Sequence, residues 1–223
     1  MLKKWLSYFV PLNIIREKSN WSTTLEVTWV NGELVLDSAN TNYSYGSLQR
    51  ILRIGLLKIG FERIIKMNHI LVLGVAGGSV IKTLYNEIGY KKRITGVEID
   101  ANVIALATAH FEIDSIPNFE TILADAFEFV LSTKEKYDFI IIDIFQDTKM
   151  PNFLFEDFFV NRILQILEPN GLFLFNTMCL TEEDNNRNAT YLALFDRLNV
   201  QVQTIPRIES HNELIIVEQF QKK

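Results

Sequence analysis

The sequence has little cysteine, histidine or proline and no excess of positive charge. Cys179 is the single cysteine among 223 residues, which excludes an intramolecular disulfide and any cysteine zinc cluster. The three histidines, His69, His110 and His211, stand far apart without metal-ligand spacing, so no metal site is expected. Five prolines and ten glycines are few for a disordered or fibrous chain, and a 48% hydrophobic content suits a packed core. The net charge is -5, which argues against nucleic acid as the partner, because phosphate binding needs a basic face. No apolar run approaches the ~20 residues needed to span a bilayer. The segment from Met1 to Val10 has a charged start and an apolar stretch, like a signal peptide. Pro11 interrupts it, no Ala-x-Ala-like site follows, and Arg16, Glu17 and Lys18 come at once. A cytoplasmic protein without a membrane partner is expected.

What is present falls into two textures. Residues 24–38 alternate apolar and polar on both sides of Asn31-Gly32, a pair that tolerates the positive φ angles of a type I′ turn, and predict a small N-terminal β-hairpin. From Gly46 to Lys66 the residues Leu48, Ile51, Leu52, Leu56, Ile59 and Ile64 recur at helical spacing. After Asn68 the chain turns to short aliphatic runs separated by helix-length segments: Ile70 to Leu73, Ile94 to Val97, Phe119 to Leu123, Phe139 to Ile142 and Leu172 to Phe175. Strands buried on both faces read this way. Two further strands are expected at 199–205 and 213–220. The expected fold is therefore α/β and Rossmann-like: a mostly parallel seven-stranded sheet with helices on both faces. The domains divide as 1–66 (N-terminal helix, hairpin and connecting helix) and 67–223 (the ligand-binding domain).

Ligands in such sheets bind beyond the carboxyl ends of the strands. The first strand ends in Gly74-Val75-Ala76-Gly77-Gly78, where missing Cβ atoms let the backbone turn sharply and a ligand approach. The second ends in Glu98-Ile99-Asp100, with an acid suited to accept hydrogen bonds from ribose hydroxyls. The third ends in Asp125-Ala126, suited to an exocyclic adenine amine, and the fourth in Asp143. Asp100 reads instead as the cap of the following helix. No Gly-Lys-Ser/Thr is present, so a P-loop is excluded, and the turn departs from Gly-x-Gly-x-x-Gly, which favours an adenosyl compound over a dinucleotide.

These residues resemble the spermidine synthase (polyamine aminopropyltransferase) family within the class I S-adenosylmethionine-dependent methyltransferase superfamily. The resemblance runs from the hairpin to the last strands and includes Asn42-Tyr-Ser-Tyr45-Gly-Ser-Leu before the first helix. It implies that Glu98 holds the ribose, Asp125 and Ala126 the adenine, and Asp143 with Tyr45 the attacking amine, in a cytoplasmic transferase; the structural reading of Tyr45 is an aromatic packed beside the hairpin. An amine attacks a sulfonium-bound carbon only as the free base, so a carboxylate that takes its proton and fixes its angle suits that chemistry. The chain also departs from the family. Gly77 replaces an aspartate that would repel the carboxylate of intact S-adenosylmethionine, Gln146 replaces a second acid, with Asp147 beside it, and Gly46-Ser47 replaces a Gln-Glu pair.

Three readings stay open. The first is a small-molecule methyltransferase using S-adenosylmethionine. The second is an aminopropyltransferase using the decarboxylated cofactor and an amine. The third is a ligand-binding or assembly protein that kept the fold without turnover. Other features have structural readings: Arg50, Arg53, Lys58, Arg63 and Lys66 as a solvated helix face, and Phe153, Phe155, Phe158 and Phe159 as core residues beside the mouth of the site. Trp5, Trp21 and Trp29 offer an apolar surface that a homodimer would bury.

Overall fold

The computed structural model describes residues 2–38, 42–146 and 149–220. Asp147, noted above beside Gln146, lies outside them. A short helix α1 (Leu2–Leu6) precedes strands β1 (Leu12–Glu17), β2 (Leu25–Val30), β3 (Glu33–Ser38) and β4 (Asn42–Ser44). These form an antiparallel sheet in the order β1-β2-β3-β4. The expected hairpin is its centre, with Trp29 opposite Leu34 and Val30 opposite Glu33. Asn31 and Gly32 between them have φ angles of 50° and 79°, as a type I′ turn requires.

The expected helix over 46–66 is two helices, α2 (Gly46–Ile59) and α3 (Phe61–Lys66), divided at Gly60. Alternating strands and helices follow: β5 (His69–Leu73), α4 (Ser79–Lys82) continuing as a π-turn over Thr83–Glu87, β6 (Arg93–Glu98), α5 (Ala101–Phe111), β7 (Phe119–Leu123), α6 (Ala126–Ser132), β8 (Tyr137–Ile142), α7 (Asp157–Ile166), β9 (Leu167–Met178), α8 (Glu182–Ala193), β10 (Val200–Ile208) and β11 (Asn212–Gln219). The large sheet has seven strands in the order β10-β11-β9-β8-β5-β6-β7. Its pairs from β9 to β7 are parallel, and β11 runs antiparallel to both β9 and β10.

The aliphatic runs are buried because successive side chains feed two cores. Ile70, Val72, Phe139, Ile141, Leu172 and Leu174 face one layer together with Leu52 and Leu56 of α2. Leu71, Leu73, Ile140, Ile142, Phe173 and Phe175 face the other, under α7 and α8. The N-terminal sheet joins the first layer through Leu25, Val27 and Leu36. Each buried aliphatic side chain contributes roughly 1.5–3 kcal/mol, so the two layers dominate stability. Gly55 is where α2 approaches the sheet: a Cβ there would lie 2.9 Å from the Leu174 side chain.

The strand ends that face the site are locked by bonds continuing past the ladder. Gly74 N–H donates to Val97 O, Asp143 N–H to Leu73 O and Ala124 N–H to Glu98 O, at 2.9, 2.9 and 3.0 Å. Gly74 has φ 88°, and a Cβ on it would lie 2.1 Å from the backbone oxygen of Asp143. Gly89 has a similar φ of 79° but open space around it. Gly74→Ala is therefore expected to cost about 3 kcal/mol or more and Gly89→Ala only about 1 kcal/mol, in urea denaturation. Equal losses would contradict the close approach of β5 to β8.

Candidate active site at the carboxyl ends of β5 to β8

A cavity of about 310 Å³ opens at the carboxyl ends of β5, β6, β7 and β8. It brings together Gly74, Ala76, Glu98, Ile99, Asp125, Ala126 and Asp143 of the residues predicted from sequence. Val75, Gly77, Gly78 and Tyr45 are not among its walls. Val97, Val103, Ala124, Trp21, Phe145, Pro151 and Phe153 supply apolar surface to the cavity. A concave, mostly apolar wall with a few aimed polar groups is the usual form of a small-molecule site.

Glu98 is the fixed point of this geometry. Its Oε2 accepts the N–H groups of Val75 and Ala76 at 3.1 and 3.0 Å. Its Oε1 accepts those of Ile99 and Asp100 at 2.9 and 3.1 Å. A carboxylate has about four lone-pair sites, so all are engaged by backbone. Burial pushes its pKa up and these four bonds oppose the rise. A diol reaching Glu98 therefore competes with backbone donors at either oxygen, those of the glycine turn (Val75, Ala76) at Oε2 or those of Ile99 and Asp100 at Oε1.

Asp100 caps α5, as expected, by accepting the Asn102 N–H at 3.0 Å. Its second oxygen accepts the Ser19 hydroxyl. Ser19 in turn accepts the N–H groups of Trp21 and Ser22 at 3.1 and 2.9 Å, closing a tight turn. Trp21 thereby borders the cavity while staying exposed, and its carbonyl accepts from Gln146 Nε2 at 3.4 Å. Asp125 caps α6 through the Phe127 N–H at 2.7 Å, so one oxygen is committed to the helix.

Asp143 is a buried acid with one hydrogen bond to its carboxylate. Desolvation in the cavity wall pushes it up to about 7, and one hydrogen bond, from Asn176 Nδ2 at 2.9 Å, acts against the rise. Asn176 was not foreseen as a site residue, although an amide at the end of Leu172-Phe-Leu-Phe is itself a signal.

Tyr45 and Gly77 lie together outside the cavity. The Tyr45 ring stacks on Phe111 with centroids 4.9 Å apart. Its hydroxyl is buried without a hydrogen-bond partner, and burial, reinforced by Glu33, raises its pKa. Its φ of 70° and ψ of -173° fall in a region that glycine alone occupies readily. The space over Gly77 is filled by this segment: a Cβ at 77 would lie 2.7 Å from Ser44 Cβ and 3.4 Å from Tyr45 Cε2. Ser44 Oγ also accepts the Ser79 N–H at 3.2 Å.

Comparison with known proteins agrees with this architecture. Residues 54–222 match the spermine/spermidine synthase domain. The polyamine aminopropyltransferase of Vibrio vulnificus is 29% identical over 133 residues, 58% of this chain and 44% of that protein. An eEF1A lysine and N-terminal methyltransferase homolog of Drosophila melanogaster is 27% identical over 170 residues, 69% of this chain and 25% of that protein. The chain thus spans less than half the length of either relative. Human methyltransferase-like protein 13, solved in complex with SAH, superposes with a TM-score of 0.66 at 22% identity, covering 80% of this chain and 84% of that one. Among the described residues no helix is long and apolar enough to cross a membrane.

The burial of Asp143 carries a stability consequence. Its folded-state pKa is raised from 3.8 to about 7, so between those values the folded state holds a proton that the unfolded chain releases. Stability then falls as pH rises through that window and is level above it. Asp143→Asn, which keeps the acceptor for Asn176, should exceed wild type by the order of 2 kcal/mol above neutral pH, discounted for the open side of the cavity. The advantage should vanish below about pH 4. Denaturation midpoints at several pH values check this, and a pH-independent difference would contradict it.

Proposed function

Because the chain belongs to the spermine/spermidine synthase domain family, we propose that it is a transferase binding S-adenosylmethionine and that it transfers the methyl group to a small acceptor. The observation that carries this reading is the acceptor side of the cavity. Among the described residues the acids lining the cavity are Glu98, Asp100, Asp125 and Asp143; the first three accept backbone N–H groups, and Gln146, Trp21, Phe145, Pro151 and Phe153 add no charge. A polyamine carries further ammonium groups, and each charge-assisted hydrogen bond that a carboxylate would give them is worth about 1.5–3 kcal/mol. A glycine turn without an acid also spares the carboxylate of the intact cofactor a repulsion.

In this reading Gly74 to Gly78 bring backbone close to the cofactor, Glu98 and Ile99 bind the ribose, and Asp125 and Ala126 face the adenine. When bound, the cofactor supplies an electrophilic carbon on a sulfonium sulfur. Asp143 accepts the proton of the attacking group, and its position fixes the angle of approach. Val97, Val103 and Phe153 keep water from that point, which strengthens every charge interaction within it. Tyr45 supplies a second hydrogen bond once its ring leaves Phe111 and Ser44 uncovers Gly77. Its unpartnered hydroxyl and unfavourable backbone angles support such a shift.

The alternative reading, aminopropyl transfer from the decarboxylated cofactor to an amine, is favoured by the family itself and by the Vibrio relative. The two readings separate in calorimetric titration with S-adenosylmethionine and its decarboxylated analogue. At least about tenfold tighter binding of the intact cofactor, roughly 1.4 kcal/mol, is expected. Preference for the decarboxylated form would overturn methyl transfer in favour of aminopropyl transfer. Binding of neither would leave the non-catalytic reading of the fold.

A further inference from the structure

The polar groups behind Asp143 form a line through the sheet. Asn212, the first residue of β11, donates from Nδ2 to Asn176 Oδ1 at 2.9 Å. Asn176, in β9, donates from Nδ2 to Asp143 Oδ1 at 2.9 Å. Asn176 is fully buried and Asn212 is 8% exposed. They lie next to one another across the antiparallel pair, where Asn212 is opposite Met178 and Leu214 opposite Asn176. An amide at the end of the fully buried run Leu172 to Phe175 would cost roughly 1–3 kcal/mol if unpaired, and a leucine would fill the site without that penalty. The oxygen of Asn176 is committed to Asn212, so its NH₂ is aimed at the carboxylate.

We propose that Asn176, held by Asn212, is a positioning residue for Asp143. It fixes one carboxylate oxygen, leaves the other to the cavity, and sets the pH at which Asp143 becomes an anionic proton acceptor. This rests on the role given to Asp143 in the proposed transferase. The titratable groups sharing its cavity are Glu98 and Asp100 from the end of β6 and Asp125 from the end of β7. The glycine turn, the N-terminal turn and the 151–153 segment add Gly74, Ala76, Trp21, Ser22, Pro151 and Phe153, which do not titrate. The Asn176 amide is thus the hydrogen-bond donor that favours the charged form of Asp143.

The test follows the Asp143 carboxyl carbon by NMR in protein labelled at aspartate, assigned by its loss in Asp143→Asn. Asn176→Leu removes the donor and should raise the titration midpoint by about one pH unit or more. Asn212→Ala keeps the donor but frees its amide to turn, and should raise the midpoint by less. In parallel, the ratio of affinities for S-adenosylmethionine, a sulfonium, and S-adenosylhomocysteine, a neutral thioether, should increase with pH around the same midpoint and move with it in both variants. Unchanged midpoints in folded Asn176→Leu and Asn212→Ala would overturn the proposal. If Asn176→Leu does not fold, Asn212→Ala decides alone. The NMR titration needs no ligand, so its failure is distinct from a failure of the protein to bind the cofactor.

Discussion

The arrangement depends on one carboxylate. Glu98 gathers four backbone N–H groups, two from the turn after β5 and two from the start of the connection to α5. Without it, those donors would face an apolar cavity unpaired, at roughly 1–3 kcal/mol each. Burying a carboxylate is costly in turn, and it is tolerated because every lone pair is used. The result is a rigid rim on which the strand ends are held, with Gly74 pressed against the backbone of Asp143. A ligand that donates a hydrogen bond to Glu98 must loosen part of this rim, because Val75, Ala76, Ile99 and Asp100 already donate to both of its oxygens.

Against that fixed rim, the other groups at and beside the cavity differ in how firmly they are held. Asp143 is anchored from behind by Asn176, itself held by Asn212, whereas Trp21 is placed by a Ser19 turn that reaches Asp100 from outside the large sheet. Tyr45 and Ser44 cover Gly77 with an unpaired hydroxyl and a strained backbone. Such strain marks segments with a second arrangement close in energy. The rim around Glu98 is therefore preorganised, whereas the Ser44–Tyr45 segment beside the cavity is held under strain.

The aliphatic runs made the sheet legible from sequence because parallel strands are buried on both faces and their period is lost in continuous hydrophobicity. Asn31-Gly32 made the hairpin legible for a local reason, the positive φ of both residues. Strands β1 and β4 were not foreseen: β1 is an edge strand with a mixed burial pattern, and β4 is three residues long. In the site, the strand-end acids were visible because their spacing follows the topology. Asn176 and Asn212 were not, since their partnership spans 36 residues of chain and neither belongs to a motif. Trp21 is exposed, as expected, at 45%, but its place at the cavity was not legible, because Ser19 and Asp100 lie 81 residues apart. The space at Gly77 shows the limit of local reasoning most directly, because a missing side chain gave no sign that Ser44 would fill it.

The central claim is that an adenosyl cofactor lies in the cavity at the ends of β5 to β8. A crystal structure of the protein with S-adenosylhomocysteine tests it most directly. The account predicts the ribose beside Glu98, the adenine beside Asp125 and Ala126, and the sulfur facing Asp143, with Ser44 and Tyr45 displaced from Gly77. Ligand density elsewhere on the molecule, or a cavity that stays empty at saturating ligand, would contradict it.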